Sequence, residues 1–101
     1  MIKILIRTEE NSFKSLEVKG HANSAPHGED LVCAAVSAVI TGGFNSIEDI
    51  KNFKVELKEG YASLEAIGPV SSHDKTVIDT IITSLKTIED GNEKFVKIQN
   101  Y

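Results

Sequence analysis

From Leu31 to Ile40 the chain reads Leu-Val-Cys-Ala-Ala-Val-Ser-Ala-Val-Ile, ten residues with one polar side chain, Ser37. A run of that length, apolar on nearly every face, predicts a helix that needs cover on more than one side. Its alanines imply close packing on both flanks. In a chain of 101 residues that cover has to come from the rest of one small core. Asp30 stands where an N-cap is expected, so the helix is placed from residue 30. Gly42-Gly43 would ordinarily end it, yet Phe44 and Ile47 resume apolar spacing, which leaves the end open between Thr41 and about Ile50.

The flanking segments read as strands and one further helix. Ile2, Ile4 and Ile6 alternate with Lys3, Leu5 and Arg7, the period of a half-buried strand, and residues 9–12 interrupt it as a turn. Leu16, Val18 and Gly20 continue the alternation. Phe13 falls on the opposite parity, which points to a bulge or to a dual-faced strand. Phe53, Val55 and Leu57 alternate up to Glu59-Gly60, and Tyr61 to Ile67 returns as the second arm of a hairpin. Gly68-Pro69 breaks the chain before Ser71 or Ser72 caps a helix with the stripe Val77, Ile78, Ile81, Ile82, Leu85 and Ile88, ending near Asp90-Gly91. A last strand spans Phe95 to Gln99. The order β-β-α-β-β-α-β defines a single α+β domain over 1–101, two helices packed against a mostly antiparallel or mixed sheet. Strand order does not follow from the pattern.

Charge and cysteine content narrow the function. Eleven basic against fifteen acidic residues give a net charge of −4, the wrong sign for direct nucleic-acid binding through phosphates. One cysteine forms no internal disulfide, and neither a signal region nor a membrane-spanning run is visible, so a reduced, cytoplasmic setting is expected.

Chemistry concentrates around the loop 21–29 and the start of the central helix. At 100° per residue Asp30, Cys33, Ser37 and Thr41 fall within about an 80° arc, one polar stripe on an otherwise apolar helix. A thiol in the first turn is where the helix dipole and unpaired N–H groups favour thiolate and could hold an oxyanion. The bland alternative is a small buried hydrophobe among alanine and valine. His21, directly after Gly20 at a strand end, is positioned to act as base, with twelve residues of chain for the turn; its bland alternative is a solvated loop histidine. His27, in the turn-like Pro26-His27-Gly28, is the competing base and ranks below His21. Asp30 is either a cap or a carboxylate that orients the histidine, and Ser37 either bonds back to the Cys33 carbonyl or lends its hydroxyl to the site. His21, His27, Asp30 and Cys33 are four potential metal ligands, but one thiolate without a Cys-x-x-Cys pair ranks metal well below catalysis, and no metal or other cofactor is expected. Gly42-Gly43 lacks the lysine of a phosphate loop. His73, at a helix start, reads as surface.

The segments Gly20-His21-Ala22 and Gly28-Glu29-Asp30-Leu31-Val32-Cys33-Ala34-Ala35-Val36-Ser37-Ala38 together resemble Prp, the bacterial ribosomal-processing cysteine protease family. The likeness extends to the helix with Phe44, Asn45 and Ile47, the hairpin, Ser84 to Glu89 and the terminal strand. It implies a cysteine endopeptidase that removes the N-terminal extension of a large-subunit ribosomal protein, cutting after aromatic residues, with a role in ribosome assembly. His21 and Cys33 match the family's dyad, and Asp30 and Ser37 match positions that support its active site. Ala22, Asn23, His27 and Gly28 fall in the substrate loop. The family is homodimeric, and its central helix runs on past the position of Gly42-Gly43. The rival expectation is a non-catalytic, ribosome-associated or peptide-binding module in which Cys33 is structural.

Overall fold

A computed structural model describes residues 1–20 and 27–101, with the backbone alone at 27–30. Its elements run β1 (Ile2–Glu9), β2 (Ser12–Lys19), α1 (His27–Asn45), β3 (Phe53–Lys58), β4 (Tyr61–Ala66), α2 (Ser72–Glu89) and β5 (Val96–Asn100). The five strands form one mixed sheet in the order β3-β4-β2-β1-β5. Every neighbouring pair is antiparallel except β1 and β5, which run parallel. The α+β class and element order therefore match expectation.

Local chemistry explains the turns. Glu10 and Asn11 take φ of 51° and 64°, the left-handed pair that a two-residue hairpin turn of right-handed twist requires. The odd parity of Phe13 is accommodated as a bulge. Arg7 pairs with Ser15 and Thr8 with Phe13, so Lys14 is the extra residue. At the second hairpin Gly60 takes φ +75°, a conformation a Cβ would oppose.

Both helices cover the face of the sheet that carries Ile2, Ile4, Ile6, Leu16, Val18, Ala62 and Leu64, all buried in one core. Val32, Val36, Ile40 and Phe44, four apart on α1, form its buried seam, and Ile78, Ile81 and Leu85 form that of α2. Each fully buried aliphatic side chain of this kind contributes about 1.5–3 kcal/mol. The expectation that α1 is covered on nearly every face does not hold. Leu31 is 73% exposed, and Ala34 and Ala38 are also exposed, because one sheet and one neighbouring helix cover only part of a helix.

The start of α1 is corrected, and its end falls within the interval left open. The helix begins at His27 instead of Asp30, which places Asp30 within the first turn and shortens the loop that was expected to run to residue 29. An acidic residue is favoured in the first turn as well as at the cap, so the residue type alone does not choose between them. At the other end the helix passes through Gly42-Gly43 and stops at Asn45. Gly43 is there for packing: a Cβ on it would lie within the Ile81 side chain of α2, whereas a Cβ on Gly42 would meet open space. A 3₁₀ turn over Ile50–Asn52, unmarked in the sequence pattern, leads into β3.

Asp74 ties the chain after α1 to the start of α2. It is fully buried, and its two oxygens accept from the backbone N–H of Glu48 (2.7 Å) and Asp49 (3.0 Å). Its own N–H donates to the Ser71 hydroxyl (3.1 Å), which makes Ser71 the N-cap. His73 is exposed, and its Nε2 donates to the Ser46 carbonyl (3.1 Å). Burial works to raise the Asp74 pKa, but the two N–H donors, the neighbouring His73 and the Ser71 hydroxyl outweigh it and hold the group below the ordinary value of 3.8.

Two expectations follow. Gly42→Ala should raise thermal stability by removing backbone entropy from the helix interior, about 0.5–1 kcal/mol, while Gly43→Ala should lower it; paired melting curves read the difference. Because the folded pKa of Asp74 is depressed, its contribution is present above pH 4 and lost as pH falls through the folded value. Asp74→Asn should therefore cost about 2 kcal/mol at neutral pH and show a flatter acid limb than wild type in urea melts taken from pH 7 to pH 2.

Candidate active site

The N-terminal half of α1 lies over one end of the sheet, where β1 begins, β2 ends and the β3-β4 hairpin turns. There a small cleft of about 100 Å³ opens between helix and sheet. The helix side is lined by Cys33, Val36, Ser37, Ile40 and Thr41, the sheet side by Ile2, Val18 and Gly20, and the hairpin side by Leu57, Lys58, Gly60, Tyr61 and Ala62. Three residues of the polar stripe, Cys33, Ser37 and Thr41, thus line one cavity. Cys33 is half-buried, while Ser37 and Thr41 are exposed. Cys33 lines this walled recess and at the same time packs against the edge of the core.

With α1 starting at His27, Cys33 lies in the second turn, not the first. The unpaired N–H groups belong to residues 27–30, one turn earlier. Helical side chains lean toward the helix start, so the cysteine side chain is carried back in the direction of those donors.

Gly20 closes the sheet wall at the end of β2. It takes φ +89°, and a Cβ on it would stand 2.6 Å from the Met1 carbonyl oxygen. Its N–H donates to the Gly60 carbonyl (3.0 Å), which ties the end of β2 to the second hairpin. His21 is the next residue in the chain; His21, Ala22 and Asn23 lie outside the described residues. His27, Gly28 and Asp30 fall in the first turn of α1.

The hairpin wall is fixed by its own contacts. The Tyr61 hydroxyl donates to Glu17 Oε1 (2.8 Å) across β4 and β2, and this bond holds the phenol above its ordinary pKa of 10.0. The Lys58 ammonium sits 5.4 Å from the centre of the Tyr61 ring. Sequence reasoning singled out neither Leu57, Lys58 nor Tyr61, since only the sheet register brings this hairpin beside α1. A larger hollow of about 780 Å³ lies at the other end, beside the β1-β2 turn and Ile67 to Val70, remote from the thiol.

The chain matches the family model described as Cysteine protease Prp over residues 1–97. The Ribosomal processing cysteine protease Prp of Bacillus subtilis is 36% identical over 98 residues, covering 88% of each chain. Its counterpart in Mycoplasma pneumoniae is 29% identical over 104 residues, covering 99% of this chain and 95% of its own. In three dimensions the essential ribosomal processing protease Prp of S. aureus, solved with a covalently linked product peptide, superposes with a TM-score of 0.85 over the whole of both chains at 23% identity. Sequence and fold together define a cysteine protease. The chain belongs to the Prp family, as the motif around Cys33 led us to expect, and the non-catalytic reading is set aside.

Gly20→Ala should cost about 1–3 kcal/mol for the positive φ alone. The close Met1 carbonyl adds to that, and the wall next to His21 shifts. A lowered melting temperature together with a changed rate of Cys33 alkylation by iodoacetamide is the expected result.

Proposed function

We propose that this protein is a cytoplasmic, homodimeric cysteine endopeptidase that removes the N-terminal extension of a large-subunit ribosomal protein, cutting after an aromatic residue, and so serves ribosome assembly. The observation that carries this reading is the half-buried Cys33, which lines a cleft with Ser37 in a chain of the Prp family. The names of the Bacillus subtilis and Mycoplasma pneumoniae relatives, both ribosomal processing proteases, support the substrate.

In this mechanism His21 takes the proton from the Cys33 thiol, and the thiolate attacks the scissile carbonyl. The tetrahedral oxyanion is held by backbone N–H donors near the opening of α1. Collapse expels the amine of the downstream product, which leaves with the proton from His21, and forms a thioester between Cys33 and the upstream product. Water, deprotonated by His21, then hydrolyses the thioester and restores the thiol. Asp30 orients His21, Ser37 supports the cleft next to the thiol, and Ala22, Asn23, His27 and Gly28 contact the peptide. No metal or cofactor takes part in these steps.

A surplus of acidic residues, net charge −4, suits a basic ribosomal substrate. No described helix is long and apolar enough to cross a membrane. The homodimer is supported by the exposed Leu31, Ala34 and Ala38 on α1 and by the groove between α1 and α2 that Val39, Gly42, Val77 and Thr80 help to line.

The test is incubation with a peptide spanning the host protein's N-terminal extension, followed by mass spectrometry. Wild type should give a single cut after an aromatic residue. Cys33→Ala and His21→Ala should lose at least about a thousandfold in rate, as removal of a member of a catalytic pair does, while His27→Ala stays at least partly active. Persistent cleavage by Cys33→Ala would exclude this mechanism.

A further inference from the structure

β3 is the outer strand of the sheet at the end that carries the cleft, and among the described residues no strand pairs with its free side. Its hydrogen-bonding parity is fixed by two observations. Lys58 pairs with Tyr61 across the two-residue turn, and at the far end the Ile67 N–H donates to the Asn52 carbonyl (2.8 Å). In an antiparallel pair the bonded positions alternate, so Asn52, Lys54, Glu56 and Lys58 bond to β4. Val55 and Leu57 therefore direct their N–H and C=O groups outward. Their side chains stand on the same face as buried Phe53, yet Val55 is 36% and Leu57 57% exposed. An edge of this kind, unpaired and flanked by exposed apolar side chains, is a template for one more strand.

We propose that β3 is the docking edge for the substrate peptide, which adds to the sheet as an extended strand paired with Val55 and Leu57. This rests on the endopeptidase reading above. The occupant is indicated by continuity: Leu57 and Lys58 belong both to β3 and to the wall of the cleft that holds Cys33. A peptide laid along β3 passes directly into that cleft. Backbone pairing supplies affinity and register, and every second side chain of the peptide falls on the helix side, beside the exposed apolar surface of Val55 and Leu57. The charged Lys54 and Glu56 point to the opposite face and discourage unspecific edge-to-edge association.

The experiment is a backbone N-methyl scan of the extension peptide, with KM and kcat for wild type, Val55→Pro and Val55→Thr. Val55→Pro deletes an outward N–H without removing a bond to β4; Val55→Thr keeps that N–H. Methylation should raise KM at alternate positions, by about fivefold to tenfold for each paired amide lost, and leave the intervening positions little changed. Val55→Pro should raise KM to a similar extent with the rate of Cys33 alkylation unchanged, and Val55→Thr should behave as wild type. Cleavage without a period-two pattern, together with Val55→Pro matching Val55→Thr, would overturn the edge proposal while leaving the protease reading intact. Val55→Pro that dissociates a dimer in sedimentation without raising KM would assign the edge to a second copy and also overturn it. Failure of wild type to cut the unmethylated peptide removes the substrate reading and this proposal together.

Discussion

The seating of α1 on the sheet is the constraint on which the cleft depends. Val32, Val36, Ile40 and Phe44 form one line of buried contacts along the helix, and Gly43 lets α2 approach until Ile81 occupies the space a Cβ would need. These contacts fix the rotation of the helix about its axis. Once Val36 and Ile40 face the core, the 100° step per residue turns Cys33, Ser37 and Thr41 toward the end of the sheet, and no separate device is needed to present the thiol. Asp74 complements this from the other end. By holding the N–H groups of Glu48 and Asp49 it anchors the chain that leaves α1 and fixes how β3 is approached.

Seen from the cleft, the protein is a rigid helix placed against a hairpin. The thiol is on the helix, the apolar and cationic wall is on β3 and β4, and Gly20 ties the end of β2 to that wall by donating to the Gly60 carbonyl. This division suits a protease. A nucleophile needs a fixed position, whereas an extended substrate needs a line of backbone groups and alternate side-chain sites.

Much of this was legible in the sequence, for local reasons. The alternation of Ile2, Ile4 and Ile6, the off-parity Phe13 and the stripe from Val77 to Ile88 are short-range signals, and the elements, the bulge and the helix follow from them. The clustering of Cys33, Ser37 and Thr41 followed from helical arithmetic alone. What escaped was set by partners distant in sequence. The parallel pairing of β1 with β5, the exposure of Leu31 and Leu57, and the place of Leu57, Lys58 and Tyr61 at the cleft depend on sheet order, which periodicity does not encode. The start of α1 escaped for another reason: Asp30 is chemically suited to both the cap and the first turn. Val55 and Leu57 alternate with Phe53 as strand positions, and it is the limited width of the helix layer that leaves them open.

The central claim is that Cys33 is the nucleophile and that the residue following Gly20 activates it. Cys33 is the single cysteine of the chain, so any thiol adduct is unambiguous. The most direct measurement is intact-mass analysis after reaction with a chloromethyl ketone built on the upstream half of the extension peptide, compared between wild type and His21→Ala. The account predicts one adduct, mapped to Cys33, that forms readily in wild type and is strongly slowed without His21. An adduct on another residue, or one on Cys33 that forms at the same rate in both proteins, would contradict it.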